Sequence, residues 1–180
     1  MRVISGSLRG RHIDPGSKFT ARPTTDFAKE NLFNILASRL EFDSLHVLDL
    51  FSGTGSISLE FVSRGCPMVH AIESNPKHAA FIRTTIDTLE ISDQMRVVRI
   101  NAFQFIRSAT QAYNVIFADP PFDMKEAEGL PDLILSSRLM APDGVFILEH
   151  GRSKEYLQHP NLVDAREYGS VRFSFFKKLE

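Results

Sequence analysis

The stretch Val47-Leu48-Asp49-Leu50-Phe51-Ser52-Gly53-Thr54-Gly55-Ser56-Ile57-Ser58 reads as a strand, a glycine-containing turn and the start of a helix. Glycine permits positive φ and close backbone approach, so a ligand can sit against such a turn and the helix N-terminus behind it. Dinucleotide enzymes use the same place, so the two glycines alone do not choose the ligand. Here Ser58 replaces the third glycine of the dinucleotide fingerprint, and an acid, Asp49, sits inside the strand end. A carboxylate is badly placed beside a pyrophosphate and well placed for an ammonium group. The competing reading is a tight strand-to-helix turn that binds nothing.

On both sides of this stretch short apolar runs alternate with longer amphipathic ones. Strands are expected at 46–51, 68–73, 95–100, 113–119 and 144–150, and helices at 57–64, 77–89, 102–109 and 126–140. Such alternation means a mostly parallel sheet with helices on both faces. Residues 162–168 and 170–178 flank Gly169 and read as an antiparallel hairpin. Upstream, Phe27, Leu32, Phe33, Ile35, Leu36 and Leu40 recur at helical spacing, with Thr24 or Thr25 as N-cap. Residues 1–25 lack that period, and 2–5 and 11–13 can pair as a short hairpin around Gly6 and Gly10. The expected division is an arm over 1–25 and one α/β domain over 26–180.

A chain of 180 residues with 43% hydrophobic and 24% charged residues is an ordinary globular composition. No apolar run reaches the roughly 18 residues of a membrane span, and no apolar segment follows the N-terminal charge as in a secretory signal. The lone Cys66 cannot form an internal disulfide, and no Cys/His cluster has metal-ligand spacing. The expectation is a cytoplasmic protein without a metal. A formal net charge of −1 argues against coating nucleic acid through bulk charge. Yet before Asp26 the chain carries Arg2, Arg9, Arg11, Lys18 and Arg22 against one acid, Asp14. That local patch suits docking on one phosphate-rich surface, or else is a solvated arm.

Glu73 closes the next expected strand, about 20 residues after the turn, where an acid accepts hydrogen bonds from ribose hydroxyls. With the glycine turn it points to an adenosine-type ligand. Asn101 and Ala102 end the third strand, where a polar side chain and backbone can meet an adenine edge; Asn101 is equally a helix N-cap. Asp119-Pro120-Pro121-Phe122 then follows directly on a strand. Its prolines have no N–H and stiffen the chain, leaving the Asp119 carboxylate and the Pro120 carbonyl as acceptors beside an aromatic ring. An exocyclic base amine is a poor nucleophile, because its lone pair is delocalised into the ring. Two acceptors can hold its two hydrogens and turn the lone pair toward a methyl donor, while Phe122 stacks on the base for about 1–3 kcal/mol. The base must be unpaired or extruded to reach such a site. The bland reading is a rigid proline turn.

These residues resemble the N-methyltransferase branch of the class I methyltransferases, whose signature is Asp/Asn-Pro-Pro-aromatic. The N-terminal elements Arg2-Val3-Ile4-Ser5-Gly6, Leu8-Arg9-Gly10-Arg11, Arg22-Pro23-Thr24-Thr25-Asp26 and Glu30-Asn31-Leu32-Phe33-Asn34 sharpen this. They resemble the small-subunit ribosomal RNA guanine-N2 methyltransferases of the RsmD type, over essentially the full chain. The resemblance implies a Rossmann-like, seven-stranded, mostly parallel sheet with a C-terminal antiparallel hairpin. It implies S-adenosylmethionine as cofactor and 16S rRNA of the small ribosomal subunit as partner, with a monomer as the default. Asp49, Phe51, Ser52, Gly53, Gly55 and Glu73 would then hold the cofactor, with Asn101 and Ala102 at its adenine. Asp119, Pro120, Pro121 and Phe122 would bind the target guanine. Arg22, Pro23 and Thr24 would border the site, and Arg9 and Arg11 would face rRNA phosphates. Many members carry Asp where this chain has Asn101, whose carbonyl oxygen can still accept from the adenine amine.

Three other functions fit parts of the pattern: an adenine-N6 methyltransferase on RNA or DNA, a nicotinamide-dependent reductase, and a non-catalytic RNA-binding module on the same fold. Ser58 and the Asp-Pro-Pro-Phe motif disfavour the reductase, and intact Asp119, Gly53 and Gly55 disfavour the module. Cys66 reads as a small structural residue rather than a nucleophile, and His150 as strand-end packing.

Overall fold

In the computed structural model, which describes residues 1–16, 19, 24–151 and 156–179, the alternating pattern becomes a three-layer α/β fold. The described residues form β1 (His46–Leu50), β2 (Met68–Ile72), β3 (Met95–Val98), β4 (Tyr113–Ala118), β5 (Met140–Gly151), β6 (Leu162–Tyr168) and β7 (Val171–Phe176). Their helices are α1 (Asp26–Ala37), α2 (Ser56–Ser63), α3 (Pro76–Thr88), α4 (Ala102–Ser108) and α5 (Leu130–Ser136). The strands make one sheet in the order β3-β2-β1-β4-β5-β7-β6, parallel except where β7 runs antiparallel to β5 and β6.

Period-two alternation divides the core. Val47, Val115, Phe117, Val145 and Ile147 face α1, α2 and α3, whereas Leu48, Leu50, Ile116, Phe146 and Leu148 face α4 and α5. After β1 the chain builds outward to β3, then returns to place β4 on the other side of β1. The carboxyl ends of β1 and β4 therefore flank the point where strand order reverses, the usual ligand crevice of open α/β sheets. Among the described residues no helix is long and apolar enough to cross a membrane.

Three expectations need correction. The helix expected over 126–140 is shorter: a 3-10 turn covers Lys125–Gly129, α5 covers Leu130–Ser136, and β5 begins at Met140. Pro131 sits in the first turn of α5, where its missing N–H costs nothing and it starts a helix rather than continuing one. The strand expected to begin at Gly144 starts earlier because Met140 pairs with Tyr113 before a register shift that leads to Val145 opposite Val115. The N-terminal hairpin reduces to one bridge, Arg2 with His12, supported by backbone bonds such as Val3 N to Arg11 O at 3.0 Å. A longer ladder does not form because the next amides are used elsewhere: Ile4 N and Ser5 N donate to the two carboxylate oxygens of Glu60 on α2.

That docking joins the arm to the domain. Ser7 N donates to Ser63 O at 2.7 Å and Leu8 N to Ser63 Oγ at 2.9 Å. Lys29, 1% exposed, donates from Nζ to Arg2 O at 2.6 Å and to Ser56 Oγ at 3.0 Å, tying arm, α1 and the first residue of α2 together. Thr25, one of the two expected caps, caps α1 by accepting from Ala28 N. Phe27 belongs to the helical repeat but points outward, edge-on to Tyr168. Cys66 is buried, and burial pushes its thiol up to about 12, as fits a structural residue.

Candidate active site

A cleft of about 660 Å³ opens at the carboxyl ends of β1, β2, β4 and β5, within the range of small-molecule sites. Its floor is the turn between β1 and α2. Phe51, Gly53 and Gly55 all have positive φ, at 61°, 55° and 76°. For Phe51 this is the strained left-handed region, of the kind that clusters at ligand sites and costs about 1–3 kcal/mol. Ser52 secures the turn by donating from Oγ to Asp49 O at 2.7 Å, and Gly55 N donates to Ser52 O at 2.7 Å. A Cβ on Gly55 would come within 3.2 Å of Ile82 on α3, so the glycine also allows close helix packing.

Asp49 projects from β1 into this floor, 1% exposed, and its Oδ2 accepts from Ser58 Oγ at 2.5 Å. Ser58, read in the sequence only as a departure from a dinucleotide fingerprint, is therefore the side chain that orients the acid. Burial pushes the Asp49 carboxyl up to about 7, against the lowering effect of the Ser58 and Ser52 bonds and with help from the Glu73 charge. Glu73, just past β2, accepts from Gly53 N at 2.8 Å and from Asn75 N at 2.7 Å. A carboxylate has about four lone-pair sites, so it can still accept from a bound hydroxyl while closing the turn. His78 lines the same cleft, with Nδ1 4.0 Å from Glu73 and its ring stacked on Phe19.

Asn101 and Ala102 line the far wall. The Asn101 carbonyl oxygen accepts from Phe103 N at 2.9 Å and Gln104 N at 3.3 Å, capping α4. Of the two sequence readings the cap is realised. The oxygen expected to accept from an adenine amine is thereby engaged by two backbone amides.

The other end of the cleft is built by β4 and β5. Asp119, Pro120, Pro121 and Phe122 all line it, and Phe122 is half-exposed with its ring over Gly151. Met124 N donates to Pro121 O at 2.9 Å, closing the proline turn. Burial, then the charges of Glu149 and Asp49, hold the Asp119 carboxyl well above the usual carboxylate range. Glu149 is a residue that the sequence reading passed over. It lies 2% exposed on β5, lines the cleft, and accepts from the Thr24 hydroxyl at 2.7 Å. Burial pushes it up to about 7 in spite of that bond. The signal was present: Asp49, Asp119 and Glu149 share the parity of Val47, Phe117 and Ile147 at the ends of adjacent strands.

Of the remaining expected residues, Thr24 lines the cleft, whereas Arg9 and Arg11 are exposed on the arm outside its lining. Arg22 and Pro23 lie outside the described residues. His150 is held in the strand end by Ser174 Oγ at 2.8 Å and Gly151 O at 2.9 Å. Among the described residues no group of His, Cys, Asp and Glu is arranged to hold a metal ion.

Comparison with known proteins identifies the family and the shared fold. The family model described as conserved hypothetical protein 95 matches residues 1–177. A Bacillus subtilis protein provisionally named as the rRNA methyltransferase YlbH is 32% identical, covering 99% of both chains. Ribosomal RNA small subunit methyltransferase D of Escherichia coli is 31% identical over 83% of this chain and 74% of its own. The solved structure of a hypothetical protein from Thermus thermophilus superimposes with a TM-score of 0.86 over 99% of both chains at 24% identity, which shows the shared fold.

Proposed function

The chain belongs to the conserved hypothetical protein 95 family, and from that premise we infer that it transfers a methyl group from S-adenosylmethionine to the exocyclic N2 amine of a guanine in 16S rRNA of the small ribosomal subunit. The observation that carries this reading is the cleft itself. Asp119, among the described residues without a hydrogen-bond donor on its carboxylate, opens into the same cavity as Asp49 and the glycine turn.

The donor set fits S-adenosylmethionine. Asp49 would take the methionine ammonium, Glu73 the ribose hydroxyls, and Asn101 with Ala102 the adenine edge, while Phe51, Ser52, Gly53 and Gly55 shape the floor. When bound, the cofactor supplies a methyl group on a sulfonium, already electrophilic. The protein's task is then mostly positioning. The Asp119 carboxylate and the Pro120 carbonyl would accept the two amine hydrogens, so that the nitrogen lone pair faces the methyl donor. Phe122 would stack on the base, and Pro121 keeps the turn rigid. Transfer would break the S–C bond as the N–C bond forms, with the thioether S-adenosylhomocysteine as leaving group, and Asp119 would take the extra proton left on the nitrogen.

The burial of Asp49 gives this reading a pH signature. An ammonium pairs with the ionised carboxylate, and in the free protein that form predominates only above about pH 7. Lowering the pH from 8 to 6 is therefore expected to weaken S-adenosylmethionine binding by about tenfold, one pKa unit being a factor of ten. Calorimetric titration in two buffers of different ionisation enthalpy should also record proton release on binding at pH 6. An affinity that stays flat over this range would remove Asp49 from the ammonium site.

Residues 1–25 form the proposed RNA-contact region. Arg9 and Arg11 would meet rRNA phosphates, and Thr24 borders the base site, with Arg22 and Pro23 assigned there by resemblance alone. So small a basic surface implies help from ribosomal proteins already on the RNA, with the enzyme acting as a monomer and without a metal. The test is transfer of labelled methyl to small-subunit particles lacking native modifications, followed by nucleoside analysis. N2-methylguanosine in 16S rRNA is the expected product, formed faster on particles than on protein-free rRNA. N6-methyladenosine, or label in DNA alone, would overturn the substrate.

A further inference from the structure

The reading of N2 methylation gives tasks to Asp119 and to the glycine turn, but none to the acid buried beside them. Glu149 sits at the carboxyl end of β5, next to β4, on the same sheet face as Asp119. Its Oε2 accepts from the Thr24 hydroxyl, and among the described residues Oε1 has no donor. No fully buried side-chain oxygen among the described residues lacks a partner, so Oε1 keeps some exposure, and Glu149 is among the residues that line the cleft. Two carboxylates thus present acceptors at one end of the cavity, and they are neighbours across the sheet, since each directly follows the paired residues Ala118 and Leu148 of β4 and β5.

Resting on that reading, we propose that Glu149 accepts the N1–H of the target guanine and is the residue that separates guanine from adenine. The Watson–Crick edge of guanine carries the N2 amine beside an N1–H, two donor groups in a row. With the amine on Asp119 and the Pro120 carbonyl, the adjacent N1–H points to the next acceptor along the sheet, Glu149 Oε1. Adenine offers an amine beside a bare N1. Its lone pair would face the ionised Glu149, the form that predominates above about pH 7, with no hydrogen between them. A site built to bond a substrate N–H rejects the analogue lacking it far more strongly than a merely shaped pocket does, because its own buried group is left unpaired. Thr24 orients the acid by holding Oε2 and leaves Oε1 for the base.

The deciding experiment compares guanine with 2-aminopurine, which keeps the 2-amine and lacks the N1–H. The methylated position is first mapped with the wild-type enzyme. Particles are then reconstituted from rRNA ligated to carry either base there. At about pH 9, where Glu149 is ionised, wild-type kcat/KM is expected to fall by about 100-fold or more on 2-aminopurine. Glu149→Gln, whose amide can donate to the bare N1, is expected to lower the guanine rate and bring the two substrates within about tenfold of each other. A wild type that methylates both bases equally overturns the proposal without any variant being made. So does a Glu149→Gln enzyme that slows on both substrates by one factor, the mark of a structural role. Failure of the wild type to form N2-methylguanosine in the guanine arm is a different result, which overturns the methylation reading and the proposal with it.

Discussion

Replacing Asp119 with alanine is expected to lower the rate of methyl transfer by about 10²–10⁴-fold while S-adenosylmethionine binding stays intact. The two effects separate because Asp119 lies at the β4 end of the cleft, whereas the groups assigned to the cofactor sit on the β1 turn, past β2 and before α4. Alanine removes one of the two acceptors that would hold the amine, and with it the local proton acceptor. Asp119→Asn retains an acceptor oxygen that orients the base but lacks the proton acceptor, and is expected to fall between wild type and the alanine variant. The wild-type rate should rise with pH through the neutral range, because protonation of Asp119 or Glu149 turns an acceptor toward the base into a donor. Both carboxyls are held above their usual range, by burial first and then, for Asp119, by the charges of Glu149 and Asp49. Single-turnover transfer with labelled cofactor, beside calorimetric binding, checks both variants. An alanine variant that binds cofactor and retains full turnover would leave the non-catalytic reading standing.

The fold and the local motifs were legible because they are written in short-range pattern. The β1 turn has glycines at two of its three positive-φ positions, and Asp119-Pro120-Pro121-Phe122 announces itself by composition. Strand-end acids such as Glu73 follow from spacing. What escaped depends on partners distant in sequence. Glu149 lay within an expected strand at 144–150, and only its parity with Asp119 across β4 and β5 marks it as a cleft residue. Ser58 looked like a missing glycine, but its role is fixed by an acid nine residues earlier on β1. Lys29 and Glu60 sit in helices, where charges usually face water, and are buried because the arm folds across them. No periodicity in 1–25 predicts that docking. Conversely the helix over 126–140 was overextended because its apolar repeat continues into β5, and periodicity cannot separate a short helix from the buried strand that follows.

The arm's dependence on α2 makes Gly6→Ala the second substitution with a large expected effect. Gly6 has φ of +85°, and a Cβ there would lie 1.7 Å from the Ser63 carbonyl oxygen and 2.3 Å from its carbon. Those atoms are backbone in the middle of the docking contact, so no side-chain rotation relieves the overlap. The arm has to lift. Lifting strips the donors Ile4 N and Ser5 N from Glu60, which is 0% exposed, and Arg2 O from Lys29. Hydrogen bonds to charged groups contribute about 1.5–3 kcal/mol each, so the loss is expected to reach about 3 kcal/mol even if water replaces part of them. At about 2–4 °C per kcal/mol for a chain of this size, Tm should fall by roughly 6–12 °C. Function should change in a particular way. With Arg9 and Arg11 no longer held against the domain, KM for the particle rises and the salt dependence of binding flattens by about two phosphate contacts. Cofactor affinity should change less, because Asp49, Ser58 and Glu73 are bonded within the domain. Differential scanning calorimetry and limited proteolysis of the arm read the first effect, and particle binding across a salt series reads the second. A variant with unchanged Tm and a protease-resistant arm would show that α2 can shift to accept the methyl group. An arm released with no change in particle binding would remove residues 1–16 from the RNA surface and leave substrate recognition to the cleft.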